Sequence, residues 1–317
     1  MALGEYVDGS VYFYAPNKGA PVFFAVAFAV SGAHHAYSCA HYRCWRMTGI
    51  YVFCSLLFTV GFIVREVGAF DYGDLIKFIV STCLIYAAPP LLELANYHIL
   101  GRILYYAPYH SPIHPGRVLT TFAFVSVVIE ALNGNGVAYS VNQSLPASKQ
   151  ETGRALLKAS LVMQLGVLAL FVLLAGTFHR RCARAGPRNR NLFAALHTLY
   201  ASAALLIART VFRVVEYWSI SQHDFWNPSH ASLMLANSVL VNVRHPRRYL
   251  PKSTKTYLAM DGTEVEGPGY KDERPFWQTL IDPFDLWGLV TGRDKGQKFW
   301  EEANGGAKGA ASADSRV

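Results

Sequence analysis

Residues 156–178 read LLKASLVMQLGVLALFVLLAGTF, a 23-residue stretch whose single charge is Lys158, near one end. About 20 mainly apolar residues are what an α-helix needs to cross the hydrocarbon core of a bilayer. An amphipathic surface helix would break such a run with polar residues every third or fourth position; this one has no polar face. It reads as a membrane span, and the rest of the chain follows from it.

Six further blocks of similar length precede or follow it, giving seven spans at roughly 21–42, 50–70, 76–100, 118–139, 155–178, 192–217 and 225–243. The seventh is the shortest. The third contains Pro89-Pro90, which predicts a kink or a split into two half-helices. Composition agrees: 52% of the 317 residues are hydrophobic and 16% charged, against about 25% charged in soluble domains, and mean hydropathy is +0.20. The fold class expected is all-α, a polytopic membrane helical bundle of about seven transmembrane helices. Residues 1–20 form an N-terminal segment with no cleavable signal peptide, 21–243 the transmembrane domain, and 244–317 a polar tail, partly disordered.

The net charge of +8 does not point to nucleic acid, because the basic residues sit in short connections between apolar blocks. Arg43 and Arg46 follow span 1, Arg102 and Arg117 follow span 3, and Arg180, Arg181, Arg184, Arg188 and Arg190 follow span 5. Arg244, Arg247 and Arg248 follow span 7, whereas the connections after spans 2 and 6 carry Asp71, Asp74 and Asp224. Lys and Arg accumulate on the cytoplasmic side, so the N-terminus is expected outside and the tail in the cytoplasm. The sequon Asn142-Gln143-Ser144 falls in a connection that this rule places outside, making Asn142 a candidate glycosylation site. The tail's basic residues favour anionic headgroups, and Phe276 to Trp287 has the composition of an interfacial helix.

Ionisable and amide side chains inside spans are costly and mark candidate functional positions. Span 1 carries His34, His35 and His41, with His34 and His41 seven apart on one face. Span 2 carries Arg65 and Glu66; span 3 carries Glu93, Asn96 and Tyr97 at i, i+3 and i+4. Span 4 carries Glu130 and Asn133, and span 6 carries Arg209, Arg213 and Glu216. At about 1.5 Å rise per residue, Glu66, Glu130, Arg209, Arg213 and Glu216 lie at comparable depth, and pairing among spans 2, 4 and 6 would compensate their charges. A substrate path and a set of structural ion pairs stand as roughly equal readings. Histidines on helix faces are more often packed or hydrogen-bonded than ligating. The five cysteines, Cys39, Cys44, Cys54, Cys83 and Cys182, form no CxxC pair and read as small hydrophobes. No metal or cofactor is implied. His110 and His114 have HxxxH spacing, but Pro112 and Pro115 prevent a shared helix face; no P-loop, GxSxG or HExxH pattern occurs.

In order along the chain, these positions resemble the fungal lipid-translocating exporters, a seven-helix family associated with aminocholesterol resistance, sphingoid-base export and porphyrin handling. The resemblance runs through Tyr14-Ala15-Pro16, Arg65–Gly68, Pro89-Pro90 with Glu93 and Tyr97, and Glu130–Gly136 (EALNGNG). It continues through Arg209–Glu216 (RTVFRVVE), Asn242–Pro246 and the tail segments Gly267–Asp272 and Asp282–Asp285. Two departures stand out. The family usually has Gln where Glu130 stands, with an upstream Asp near the place of Ala123; and the connection from Ser219 to His230 is shortened, with His230 near the place of a usual acid. The resemblance implies movement of, or protection against, an amphipathic lipid-like molecule in a fungal plasma membrane or endomembrane. An intramembrane enzyme acting on a lipid or terpenoid, using Glu66, Glu130 or His34 as acid or base, and a seven-helix receptor are the alternatives.

Overall fold

A computed structural model describes residues 18–71, 73–141, 144–185, 189–218, 229–253, 255–259 and 262–267, with positions 278, 282, 287 and 290. The described residues form seven α-helices: α1 Ala20–His41, α2 Trp45–Gly68, α3 Leu75–Tyr106, α4 Pro115–Val141, α5 Ala147–Ala185, α6 Arg190–Trp218 and α7 Ser229–Val243. The first six are long and apolar enough to cross a membrane. α7 has 15 residues, fewer than the roughly 20 a span requires. Asn142, Tyr14–Pro16, Arg188, Asp224 and most of the tail after Gly267 lie outside the described residues.

The chain divides into two compact units, and α3 and α6 each contribute to both. Unit 1 holds α1, α2, the first part of α3, the second part of α6 and α7. Its core is aromatic. Phe28 stacks on Phe58 at 4.3 Å and on Phe62 at 5.9 Å, and Phe24 stacks on Phe62 at 5.2 Å. On each helix these residues stand four positions apart, so α1 and α2 meet along matching stripes. α3 is started by Asp74, whose Oδ1 accepts the Lys77 N–H at 3.1 Å. That is the side-chain N-cap geometry, and the Lys77 N–H and ammonium hold the Asp74 carboxyl below its ordinary range.

α3 runs as one helix of 32 residues through Pro89 and Pro90 rather than as two half-helices. The two prolines remove two backbone donors, a loss that neighbouring helices can absorb within a membrane bundle. Just before them α2 comes close: a Cβ on Gly61 would lie 2.8 Å from Ile85 Cγ1 and 3.3 Å from the Ile85 nitrogen. The Cys54 thiol also reaches the Ala88 carbonyl at 3.7 Å.

Unit 2 holds the end of α3, α4, α5, the start of α6 and the segment from Pro246. Tyr97 of α3 stacks on Phe122 of α4 at 4.9 Å and meets Phe171 of α5 edge-on at 5.3 Å. Such pairs add about 0.5–1.5 kcal/mol beyond area burial.

In the polar tail after α7, described residues between 246 and 267 form local structure. A 3₁₀ turn, Pro246–Arg248, leads to an antiparallel hairpin, β1 Thr256–Leu258 with β2 Glu264–Glu266, in which Tyr257 pairs with Val265. Arg102 holds the approach by donating Nη2 to the carbonyls of Pro251 at 2.8 Å, Ser253 at 3.3 Å and Lys252 at 3.4 Å. The buried Tyr106 donates its hydroxyl to Glu264 at 2.5 Å and accepts from Asn189 Nδ2 at 3.1 Å. Asn189 also N-caps α6 through the Leu192 N–H at 3.1 Å. One phenol therefore ties hairpin, α3 and the start of α6 together. Tyr106→Phe is expected to cost roughly 1–2 kcal/mol, at about 1 kcal/mol per hydrogen bond, and to speed tryptic cleavage at Lys252 and Lys255 several-fold. Unchanged cleavage would show that the hairpin is held without the Tyr106 phenol, by Arg102 and its buried Tyr257 and Leu258.

Candidate functional site

The most extended polar feature among the described contacts joins α1, α7 and α2 within unit 1. α1 places Ser31, His34 and His35 on successive turns, and α7 places Ser238 and Asn242 four apart, so both sets face along one stripe. Asn242 Oδ1 lies 2.8 Å from His34 Nδ1, and its Nδ2 donates to Ser31 Oγ at 2.7 Å and to the Ser31 carbonyl at 3.2 Å. Ser31 Oγ is 2.6 Å from Ser238 Oγ, which is 3.3 Å from His35 Nε2. The His35 ring then stacks on Tyr51 of α2 at 5.4 Å. Five side chains thus form one hydrogen-bonded seam ending on an aromatic ring.

At that end, and separately at Asn237 of α7, the hydrogen bonds run out. His35, Tyr51 and Asn237 are 0%, 1% and 0% exposed. His35 Nδ1, the Tyr51 hydroxyl and both polar atoms of the Asn237 amide have no hydrogen-bond partner among the described residues. Each such group costs roughly 1–3 kcal/mol unless something satisfies it. The seam carries no acid, so it suits a neutral polar group able both to donate and to accept.

The sequence singles out His34 and His41, but the buried histidine of α1 is His35. His34 is exposed and takes part through Asn242, and His41 stacks on Tyr37 at 5.7 Å. Ser31, Ser238, Asn242, Tyr51 and Asn237 escape a search for ionisable groups because none carries charge. The available signal is their spacing: Ser31, His34, His35 and Ser38 on α1, against Ser238 and Asn242 on α7.

The charged positions separate. Glu66, half-buried, accepts the Gly19 backbone N–H at 3.2 Å, so it fixes the start of α1. Arg213 and Glu216 pair at 3.0 Å within α6. Arg213 also donates to the Tyr86 hydroxyl of α3 at 3.1 Å and lies over the Tyr86 and Tyr217 rings at 4.4 and 5.0 Å. The pairing expected across spans 2, 4 and 6 is thus, for Arg213, a bond within span 6 that reaches span 3. Arg209 is buried. In unit 2, Glu130 accepts from Asn133 of its own helix at 3.4 Å. Glu93 and Asn96 are 3% and 2% exposed, and Tyr97 is fully buried in the aromatic trio. Among the described residues no group of three or more His, Cys, Asp and Glu is placed to hold a metal ion.

Six span-length helices and a polar seam threaded through apolar surroundings define an integral, multi-pass α-helical membrane protein. Residues 51–253 match the family described as RTA1 like protein, and the chain belongs to that family. It is 40% identical over 334 aligned positions to a "Lipid-translocating exporter-like protein RTA1" of Leptosphaeria maculans, covering 94% of this chain and 64% of that protein's length. It is 32% identical to a protein of the same name from Ajellomyces capsulatus, covering 77% of this chain and 82% of the other. It is 29% identical to "Protein RTM1" of Saccharomyces cerevisiae over 54% and 55% of the two chains. No solved structure matches.

Proposed function

We propose that this protein translocates lipid-like amphipathic molecules, with the α1–α7 seam receiving the polar head while the tail stays among lipid-facing apolar side chains. The observation that carries the reading is the seam itself, a chain of hydrogen-bonding side chains inside apolar helices that ends in buried groups without partners. The names borne by the Leptosphaeria and Ajellomyces relatives support the same reading. The substrates that fit are sphingoid bases, sterol-like molecules or other small hydrophobic compounds bearing a hydroxyl or amine, and their export would confer resistance. Glu93, buried within α3, is the candidate proton carrier if movement is coupled. Glu66, Arg209, Arg213 and Glu216 then serve as supports of the path within unit 1, and Glu130 as a support within unit 2. The topology proposed with it puts the N-terminus and a glycan on Asn142 outside, and the tail in the cytoplasm of a plasma-membrane or endomembrane protein.

Proteoliposomes loaded with a fluorescent sphingoid base test this. Protein should accelerate exchange between leaflets, and Asn242→Leu should slow it at least about tenfold, equivalent to about 1.4 kcal/mol of lost stabilisation along the path. Equal rates with and without protein, across several amphiphiles, would sink the idea. A change in the amphiphile's mass would instead mark an enzyme.

A further inference from the structure

The turn between α1 and α2 uses two of the five cysteines, and its backbone explains why they meet. Arg43 adopts a left-handed φ of 49°. The Cys44 N–H donates to the Cys39 carbonyl at 3.0 Å, and the Arg43 N–H donates to the Ala40 carbonyl at 3.2 Å. This is a Schellman ending, the motif in which the residue before the last two helical positions and the second residue past the cap touch through their side chains. In most helices that contact is aliphatic. Here it is Cys39 against Cys44.

Three more features converge on the pair. Met47, from the first turn of α2, packs into the same buried cluster, and Tyr42 and Val52 close around it. Cys39, Cys44 and Met47 are 0%, 6% and 8% exposed. The Thr48 hydroxyl lies 3.2 Å from both Cys39 Sγ and Cys44 Sγ. Two thiols and a methionine side chain therefore share one dry corner, beside a hydroxyl that also reaches the Cys44 carbonyl at 3.4 Å.

We propose that Cys39, Cys44 and Met47 form a binding site for a soft monovalent cation of the copper(I) class. Thiolate and thioether donors select such ions over harder ones, and low coordination numbers suit a buried corner closed to water. Binding replaces two S–H bonds by two metal–thiolate bonds and releases two protons to solvent; the thioether adds a neutral donor and no redox change occurs. Arg43 and Arg46, in the same turn, supply positive charge near the resulting anionic centre. Thr48 is a positioning residue that donates its hydroxyl to thiolate sulfur, as outer-shell partners do. A disulfide would use only the two thiols and leave Met47 without a role.

The test uses the purified full-length protein, reduced, stripped with EDTA and titrated anaerobically with copper(I) against a chromophoric copper(I) chelator. One equivalent should bind per chain, with an ultraviolet thiolate-to-copper charge-transfer band. Cys39→Ser/Cys44→Ser should abolish the band and weaken binding by more than about 100-fold, beyond the range for loss of outer-shell partners alone. Thr48→Val should weaken it roughly tenfold. Met47→Leu, which conserves volume, should weaken binding while leaving helical content and elution volume unchanged; it decides the matter if the double variant does not fold. Cys83→Ser, at an exposed position, should bind as the parent does. Absence of a stoichiometric site, copper retained by the double variant, or a Cys39–Cys44 disulfide that persists under reduction would overturn the proposal.

Discussion

Arg213→Met is expected to lower the unfolding free energy by roughly 3 kcal/mol, the low end of the range for removing one partner of a buried ion pair. Four contacts are lost together: the Glu216 carboxylate at 3.0 Å, the Tyr86 hydroxyl at 3.1 Å, and the faces of Tyr86 and Tyr217. Glu216 keeps 24% of its side chain exposed, so part of its charge finds other solvation, which holds the cost at the low end. Adding Glu216→Gln removes the stranded charge, and Arg213→Met/Glu216→Gln should recover half or more of the loss. Arg213→Lys should recover little, because an ammonium cannot lie flat on two rings while bonding to a phenol and a carboxylate. Unfolding of the detergent-solubilised protein, followed by circular dichroism, measures all three. A loss below about 1 kcal/mol would place the pair with exposed salt bridges and remove it as the clasp between α6 and α3.

Arg213 also marks what was legible in the sequence. Its depth in the span and its i, i+3 relation to Glu216 are visible in RTVFRVVE, and the structure places both where spacing puts them. Tyr86 could not be found that way, because a tyrosine in an apolar span reads as packing and its phenol meets Arg213 only once α3 and α6 are side by side. The helices themselves were legible because apolar runs of bilayer length leave few alternatives. The continuity of α3 through Pro89-Pro90 was not, since proline's local rule assumes no neighbour to absorb the lost donors. The seam on α1 and α7 was hidden for a different reason. Serine, asparagine and a histidine bonded to serine carry no charge, and their meaning comes from the pairing of two helices about 200 positions apart in sequence. The folded hairpin was hidden because Arg102 reads as a loop charge until the carbonyls of 251–253 are in view.

A loss of stability of similar size is expected from Gly153→Ala, on the face where α5 meets α4. A Cβ there would lie 2.6 Å from the Ser140 nitrogen, 2.8 Å from the Gly136 carbonyl oxygen and 2.8 Å from Tyr139 Cβ. Two of the three are backbone atoms and cannot step aside, so the helices must separate. The glycines are reciprocal: a Cβ on Gly136 would lie 3.0 Å from the Gly153 carbonyl oxygen and 3.0 Å from the Leu157 nitrogen. Small residues that let backbones touch are the usual basis of tight helix pairing in membranes, where lipid supplies little competing hydrophobic force. Overpacking of this kind costs about 1–3 kcal/mol, occasionally more, and rigid neighbours put Gly153→Ala at the top of that range. Gly153→Leu should give no folded protein. Gly166, on the same helix, has nothing within 4 Å of its would-be Cβ. Gly166→Ala should therefore stabilise by up to about 1 kcal/mol through helix propensity alone. The opposite signs isolate the contact from the propensity, because both substitutions add the same methyl group to the same helix. Glu130 and Asn133 stand on α4 within two turns of Gly136, so a wedge at 153 should also disturb the depth at which they sit. If Gly153→Ala and Gly166→Ala melt alike, α4 and α5 do not touch backbone to backbone, and the seat of Glu130 must be set by something else.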